Sequence, residues 1–312
     1  MENLAIWFQQ SGQVTLAPYA LPTLRADQVQ VATTLSAISM GTEKLLLSGK
    51  TEIAHEEIHS WPFRYGYQNV GTIFAIGSDV NASLLGRRVF SLKPHQQYYH
   101  ATTDELWFLP ADVSDEQAAY SANMETAVTF VLDAAPLIGE RIAIHGFGIL
   151  GLCTALILRQ SGYNDIHIFE PSSARAHMAQ ELGFIVNPSS PISYDLQFEL
   201  SGQQETLSKA IELACFAGRL VIGSWYAEEG AVVKFGGNFH KRRLTLISSQ
   251  VSTFGANYSL RYDRKRRREL TMCYLPLLPN IPYQRVQPSE APQAYARLLK
   301  ENNLSPILIQ WS

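Results

Sequence analysis

The hydrophobic pattern divides the chain into two regimes. Up to about residue 130, short runs rich in β-branched and aromatic residues recur at 4–8, 29–34, 70–76 and 88–91, separated by Pro, Gly, Asn and Asp. This pattern predicts short strands in a compact, mostly antiparallel, barrel-like domain, with glycines 66, 71, 77 and 86 at turns or bulges. Residues 45–63 read as loop or short helix. At Ser114 the sequence S-D-E-Q signals a capped helix start, and the helical run continues towards Pro136. Beyond it the pattern changes. Strand-like runs at 142–144, 166–169, 184–186, 195–200, 219–222 and 244–248 alternate with helical ones, including one with Leu207, Ala210, Ile211 and Ala214 at helical spacing. Such alternation predicts an α/β fold with a parallel sheet covered on both faces. A helix at 291–299 and a strand at 307–310 end the pattern. The expected division is one domain at 134–270 and a discontinuous one at 1–133 and 271–312.

The first strand of the second regime runs into Gly146, Gly148 and Gly151, spaced G-x-G-x-x-G, and then into a helix. In a doubly wound, Rossmann-type sheet the first glycine permits the tight turn, the second admits a pyrophosphate, and the third lets helix and strand pack closely. The main-chain N–H groups opening that helix, at Ile149 and Leu150, are then the anion donors. Glu170 ends the next strand, where a carboxylate accepts from a ribose 2′-hydroxyl and repels a 2′-phosphate, which favours NAD(H). Ser172, Ser173 and Arg175 just beyond soften that preference, so NADP(H) stays open. Ligands in such sheets lie beyond the strand C-termini. Ser201, Gly223, Ser224 and Ser248 hold those positions. A purely structural Gly-rich turn is the plain alternative.

Composition narrows the partners. With 46% hydrophobic residues, 17% charged and a net charge of -3 over 312 residues, the chain is globular and offers no overall field for nucleic acid or a membrane. Neither a secretory leader nor a membrane-length apolar run is evident, so a cytoplasmic protein is expected. Cys153, Cys215 and Cys273 are too scattered for a disulfide framework or a thiolate zinc site, and the first two read as small apolar side chains within helical runs. The block RYDRKRRREL at 261–270 reads as a solvated helix face or connector, with one arginine free to assist a phosphate-bearing ligand.

Four stretches, MGTEKLLLSG at 40–49, YGYQNVGTIFAIGSDV at 65–80, ETAVTFVLDAAPLIGERIAIHGFGILG at 125–151 and RAHMAQELG at 175–183, resemble the medium-chain dehydrogenase/reductase superfamily. GSWY at 223–226, GGNFHKRRLTLISSQV at 236–251 and the Pro94-His95 pair resemble its branch that includes bacteriochlorophyllide dehydrogenase. The resemblance implies a Rossmann domain beside a GroES-like substrate domain, a nicotinamide cofactor, a small-molecule substrate and a homodimer formed through 244–251. The sequence departs from zinc-dependent relatives at the metal. Met40 stands where they carry Cys, and Gly66-Tyr67-Gln68 where they carry Gly-His-Glu. A thioether, a phenol and an amide do not replace a thiolate, an imidazole and a carboxylate as zinc ligands, so no zinc is expected. His55, Glu56, Glu57 and His59 carry ligand-capable atoms in an order that reads as solvent-facing.

Without zinc, hydride transfer needs another electrophile or proton donor. Tyr67 is a candidate donor, Glu43 and Gln68 line the same loops, and His95 is able to gain or lose a proton near neutral pH. His240, with Arg242 and Arg243, is a candidate for an anionic part of the substrate. The expected activity is a zinc-independent, NAD(H)-dependent oxidoreductase acting on a carbonyl, alcohol or conjugated double bond. An NADPH-dependent enoyl- or quinone-type reductase, and a nucleotide-binding regulator without dehydrogenase activity, are the alternatives.

Overall fold

The computed structural model describes residues 3–49, 61–189, 192–226, 232–233, 235–301 and 304–312. His55, Glu56, Glu57 and His59 lie outside them. Along the chain the strands and helices are β1 (Leu4–Gln10), β2 (Gln13–Pro18), β3 (Gln28–Ala37), α1 (Thr42–Ser48), β4 (Phe63–Arg64), β5 (Asn69–Ile76), β6 (Arg88–Ser91), β7 (Tyr98–Thr102), β8 (Trp107–Phe108), α2 (Asp115–Ala118) and α3 (Ser121–Ala134). They continue as β9 (Ile142–His145), α4 (Ile149–Gln160), β10 (Ile166–Phe169), α5 (Ser173–Glu181), β11 (Ile185–Val186), β12 (Tyr194–Glu199), α6 (Gln204–Leu213), β13 (Ala214–Ile222), α7 (Asn238–Lys241), β14 (Thr245–Ser248) and α8 (Arg264–Tyr274). Last come β15 (Gln284–Val286), α9 (Ala291–Lys300) and β16 (Ile307–Gln310). Two compact units result, Met1–Ala122 with Pro279–Ser312, and Asn123–Leu278.

The first unit is a mostly antiparallel β structure. Its larger sheet has the order β15-β16-β3-β5-β6-β8, with β7 also paired to β3, and a smaller sheet has the order β2-β1-β4. β3 organises it. Its side chains alternate between buried and half-buried until Leu35, as a sheet with one covered face requires, and from Leu35 to Ala37 all are buried. That change falls where β16 pairs with it, Leu308 opposite Ala37 and Gln310 opposite Leu35. The C-terminal strand thus returns to the first unit, as its apolar pattern implies. One core gathers Ile6, Phe8, Leu47, Tyr295, Ile307 and Ile309; a second gathers Val29, Val31, Ile73, Val89 and Tyr99. The run at 45–63 opens as helix, because α1 begins at Thr42.

In the second unit six parallel strands lie in the order β11-β10-β9-β12-β13-β14. Counted within the unit this is 3-2-1-4-5-6, the doubly wound arrangement whose direction reverses between its first and fourth strands. All four residues of β9 are buried, and α4 is buried from Gly151 to Leu158. A continuous apolar run is what a central parallel strand needs, since both its faces are covered.

Three local expectations are corrected. Helix α6 stops at Leu213, so Cys215 belongs to β13, half-exposed, with its thiol donating to Asp195 Oδ1 at 3.1 Å. The helical run after Ser114 is divided into α2 and α3; the Ser114/Gln117 capping box is present. The block at 261–270 is not wholly solvated, because Arg267 turns inwards to Glu125 Oε1 at 3.0 Å.

Candidate cofactor and active site

The glycine loop leaves β9 at the point where the strand order reverses. Gly146 has φ +95°, and a Cβ there would lie 2.9 Å from Leu200 O. A Cβ on Gly151 would lie 2.1 Å from Gly146 O, so helix and turn meet only because that side chain is missing. Gly148 differs from both. It caps α4, is exposed, and a Cβ there would meet nothing within 4 Å. The space in front of its main chain is open, and the first donors of a 12-residue helix, the N–H groups of Ile149 and Leu150 among them, face it. Roughly half a positive charge concentrates at such an end. These residues fit a pyrophosphate.

Glu170, only 3% exposed, follows β10 and closes the loop from the side. Its Oε2 accepts from Phe147 N at 2.7 Å; its Oε1 accepts from Ser172 N and from Arg175 Nη2, both at 2.8 Å. Burial works against its charge, but Arg175 and the two main-chain donors outweigh that and hold its pKa below the ordinary value. A carboxylate has about four acceptor positions. Three are used here, which leaves one on Oε2 for a ribose hydroxyl. Arg175 gives its Nη2 to this carboxylate, while its buried Nε has no partner.

At the neighbouring strand ends, Ser201 donates from N and Oγ to Glu199 Oε1 at 2.9 and 2.5 Å. Ser224 Oγ accepts from Gly202 N at 2.8 Å, and Gly223 N donates to Glu199 O at 3.1 Å. A Cβ on Gly223 would lie 2.4 Å from Phe130, so that glycine serves packing. Ser248 is exposed at the end of β14. Glu199, fully buried and also bonded by the Tyr226 hydroxyl, escapes a sequence reading that looks only for exposed strand-end residues.

The first unit holds the other candidates. Glu43, in α1, and His95, in the turn before β7, are both completely buried, with the His95 Nε2 3.2 Å from Glu43 Oε2. Glu43 also accepts from Ser39 N at 2.8 Å and from the Tyr295 hydroxyl, while His95 Nδ1 lies 2.8 Å from Ser36 Oγ. Trp311 Nε1 donates to that same hydroxyl at 2.9 Å. Gly66 makes this possible, since a Cβ there would stand 2.5 Å from the His95 ring. His95 is therefore part of the wall and reaches no solvent. Nothing in the sequence announces Tyr295, Ser36 or Trp311, because no local spacing links them to Glu43.

Tyr67 is partly covered. Its hydroxyl is 2.5 Å from Ser39 Oγ and 3.5 Å from Thr42 Oγ1. Burial, above the lowering effect of these two hydroxyls, raises its pKa. Gln68 is buried, its Nε2 donating to Ala37 O at 3.4 Å, and Met40 packs against the first core. Tyr67, Gln68, Glu43 and His95 thus share one region. His240 belongs to the other unit, exposed on α7, and Arg242 is spent on the carbonyls of Glu212 and Ala214 at the end of α6. Of the expected anion-holding group of His240, Arg242 and Arg243, Arg242 therefore already has carbonyl partners. Among the described residues no three His, Cys, Asp or Glu side chains gather as a metal site.

No family model matches the chain. (R,R)-butanediol dehydrogenase of Bacillus subtilis is 28% identical over 212 residues, 55% of this chain and 61% of that protein. L-threonine 3-dehydrogenase of Pyrococcus furiosus is 26% identical over 138 residues, 40% and 39% of the two chains. The aligned part therefore spans between about two fifths and three fifths of these curated relatives' length. The structure of acetophenone reductase from Geotrichum candidum in complex with NAD superposes with a TM-score of 0.79 at 15% identity, covering 99% of this chain and 97% of that one. The two-unit fold with its doubly wound sheet is shared with that protein. In sequence similarity and fold together the chain resembles the medium-chain dehydrogenase/reductase superfamily.

Proposed function

We propose that the chain is an NAD(H)-dependent oxidoreductase that moves a hydride to or from a carbonyl, alcohol or conjugated double bond of a small molecule, and that it does so without catalytic zinc. The observation that carries the cofactor assignment is the pairing of an open Gly148 main chain with Glu170 fixed beside it. Arg175 is held by Glu170, which supports NAD over NADP. Butanediol and threonine dehydrogenases among the relatives support an alcohol or carbonyl substrate. The absence of zinc rests on donor chemistry. By the resemblance, Met40, Tyr67 and Gln68 stand where zinc-dependent relatives carry ligands, and a thioether, a neutral phenol and an amide bind zinc poorly.

The nicotinamide, when bound, supplies or accepts the hydride. Tyr67 supplies the proton: its raised pKa keeps the hydroxyl protonated at neutral pH, and Ser39 and Thr42 offer a hydroxyl path by which it is replenished. Glu43 and His95 hold α1 and the 94–96 turn in place behind it. The reading extends to a cytoplasmic homodimer meeting through β14, an edge of its sheet among the described residues.

The test is titration of purified protein with NADH and NADPH, with metal content measured on the same sample and a carbonyl and enone panel to follow. NADH is expected to bind at least roughly tenfold more tightly, a difference of about 1.4 kcal/mol. Stoichiometric tightly bound zinc removes the metal-free chemistry, and failure to bind either cofactor removes the dehydrogenase. Tyr67→Phe is expected to lower turnover by roughly 100-fold or more with NADH affinity intact; unchanged turnover takes the role from Tyr67.

A further inference from the structure

The basic block at 261–270 has no part in the proposed reaction, and a bare aliphatic side chain stands directly beside it. Leu260 is 99% exposed, an aliphatic side chain that buries almost nothing. Immediately after it, Arg261, Arg264, Lys265 and Arg266 are exposed and Arg268 is half-exposed. Arg264 and Lys265 make no ion pair or hydrogen bond among the described residues. Asp263, the nearest acid, is occupied in capping α8, where it accepts from Arg266 N at 2.7 Å.

The display is braced from within. Arg267 anchors the inner face of α8 on Glu125, Thr129 and the Phe254 ring. The Arg266 guanidinium covers the Tyr262 ring at 4.2 Å and donates to Arg261 O at 2.6 Å, while Arg261 donates to Asn257 O at 3.3 Å. Leu260 is thus presented by a turn that its own arginines hold shut. Arg264, Lys265 and Arg268 fall within about 100° of one another around the helix axis, at 3.6 residues per turn, and form one outward stripe.

We propose that this turn and stripe dock on the anionic phospholipid surface of a membrane, with the cations at lipid phosphates and Leu260 in the boundary between headgroups and acyl chains. An interface of that kind rewards a bare aliphatic tip and a stripe of cations together. A nucleic acid would reward the cations alone, and the aromatic ring at hand, Tyr262, is already covered by Arg266. The contact is peripheral and reversible: no described helix is long and apolar enough to cross a membrane, and the net charge of -3 adds no attraction from elsewhere.

The test is co-sedimentation of the full chain with vesicles of phosphatidylcholine alone and of phosphatidylcholine mixed with phosphatidylglycerol, at low and high salt. Binding is expected on the mixed vesicles at low salt, to fall steeply with salt, and to be lost on phosphatidylcholine. Arg264→Glu with Lys265→Glu is expected to lower partitioning by roughly tenfold or more. Leu260→Ser is expected to lower it roughly tenfold while leaving the salt dependence unchanged. All three positions are exposed, so the thermal midpoint serves as the folding control. Absence of binding to the mixed vesicles overturns the proposal. So does a silent Leu260→Ser, or a single-stranded oligonucleotide that binds as tightly as the vesicles and displaces them.

Discussion

Two buried carboxylates, one in each unit, show how the same group is put to opposite uses. Glu170 is held by main-chain N–H groups at its own strand end and by an arginine five residues on, and one acceptor position stays free. Glu43 is held by a histidine 52 residues away and a tyrosine 252 residues away, and both its oxygens are taken. The first, in the proposed reading, receives a ribose hydroxyl. The second is a rivet between α1, the 94–96 turn and α9. Hydrogen-bond donors from the local main chain leave a carboxylate available at a surface; donors from distant elements enclose it.

The largest effect expected from breaking the contrast is at the rivet. Glu43→Ala leaves His95 and Tyr295 without their buried partner and should cost about 3–5 kcal/mol in urea unfolding, with NADH affinity of the folded fraction unchanged. Next comes Glu170→Gln, which should weaken NADH roughly 10–100-fold and narrow its advantage over NADPH as Arg175 is released; cofactor fluorescence titration measures both, and an unaltered ratio would separate Glu170 from the choice of cofactor. Tyr295→Phe removes one donor to Glu43 and should cost about 1–3 kcal/mol of stability without touching cofactor binding.

The smallest effects are the pH limbs, and they separate the two units by sign. Glu170 has a lowered pKa when folded, so its contribution is present above the unfolded carboxylate value of about 4.3 and is lost as pH falls through the folded one. Tyr295 is driven the other way, by burial first and then by Glu43. Its contribution is whole below the unfolded tyrosine value of about 10 and declines as pH rises beyond it. Hydrogen exchange across pH should therefore loosen the glycine loop first in acid and the α1/α9 region first in alkali; loosening in the reverse order would contradict the assignment.

The same contrast explains what could be read from the residues alone. Gly146, Gly148, Gly151 and Glu170 lie within one strand-helix-strand unit, so their spacing along the chain reflects their spacing in space. The doubly wound sheet was legible for the same reason, because each of its strands carries its own apolar run. The rivet was not legible, since His95 and Tyr295 meet Glu43, and Ser36 meets His95, only after separate elements have packed. Short strands such as β4 and β8, two residues each, carry too little pattern to stand out. Arg267 and Cys215 misled because composition describes a neighbourhood, while an arginine opposite Glu125 and a thiol beside Asp195 are settled one contact at a time.

The pairing of β16 with β3 also imposes an order of events during synthesis. The strand opposite residues 35–37 is made of residues 308–310, near the far end of the chain. The second unit has all of its residues once the ribosome has passed Leu278, whereas the first must wait for the last of β16 to emerge. At about 5–20 residues per second that interval is a matter of seconds. During it residues 35–37 of β3 have no native neighbour on that side.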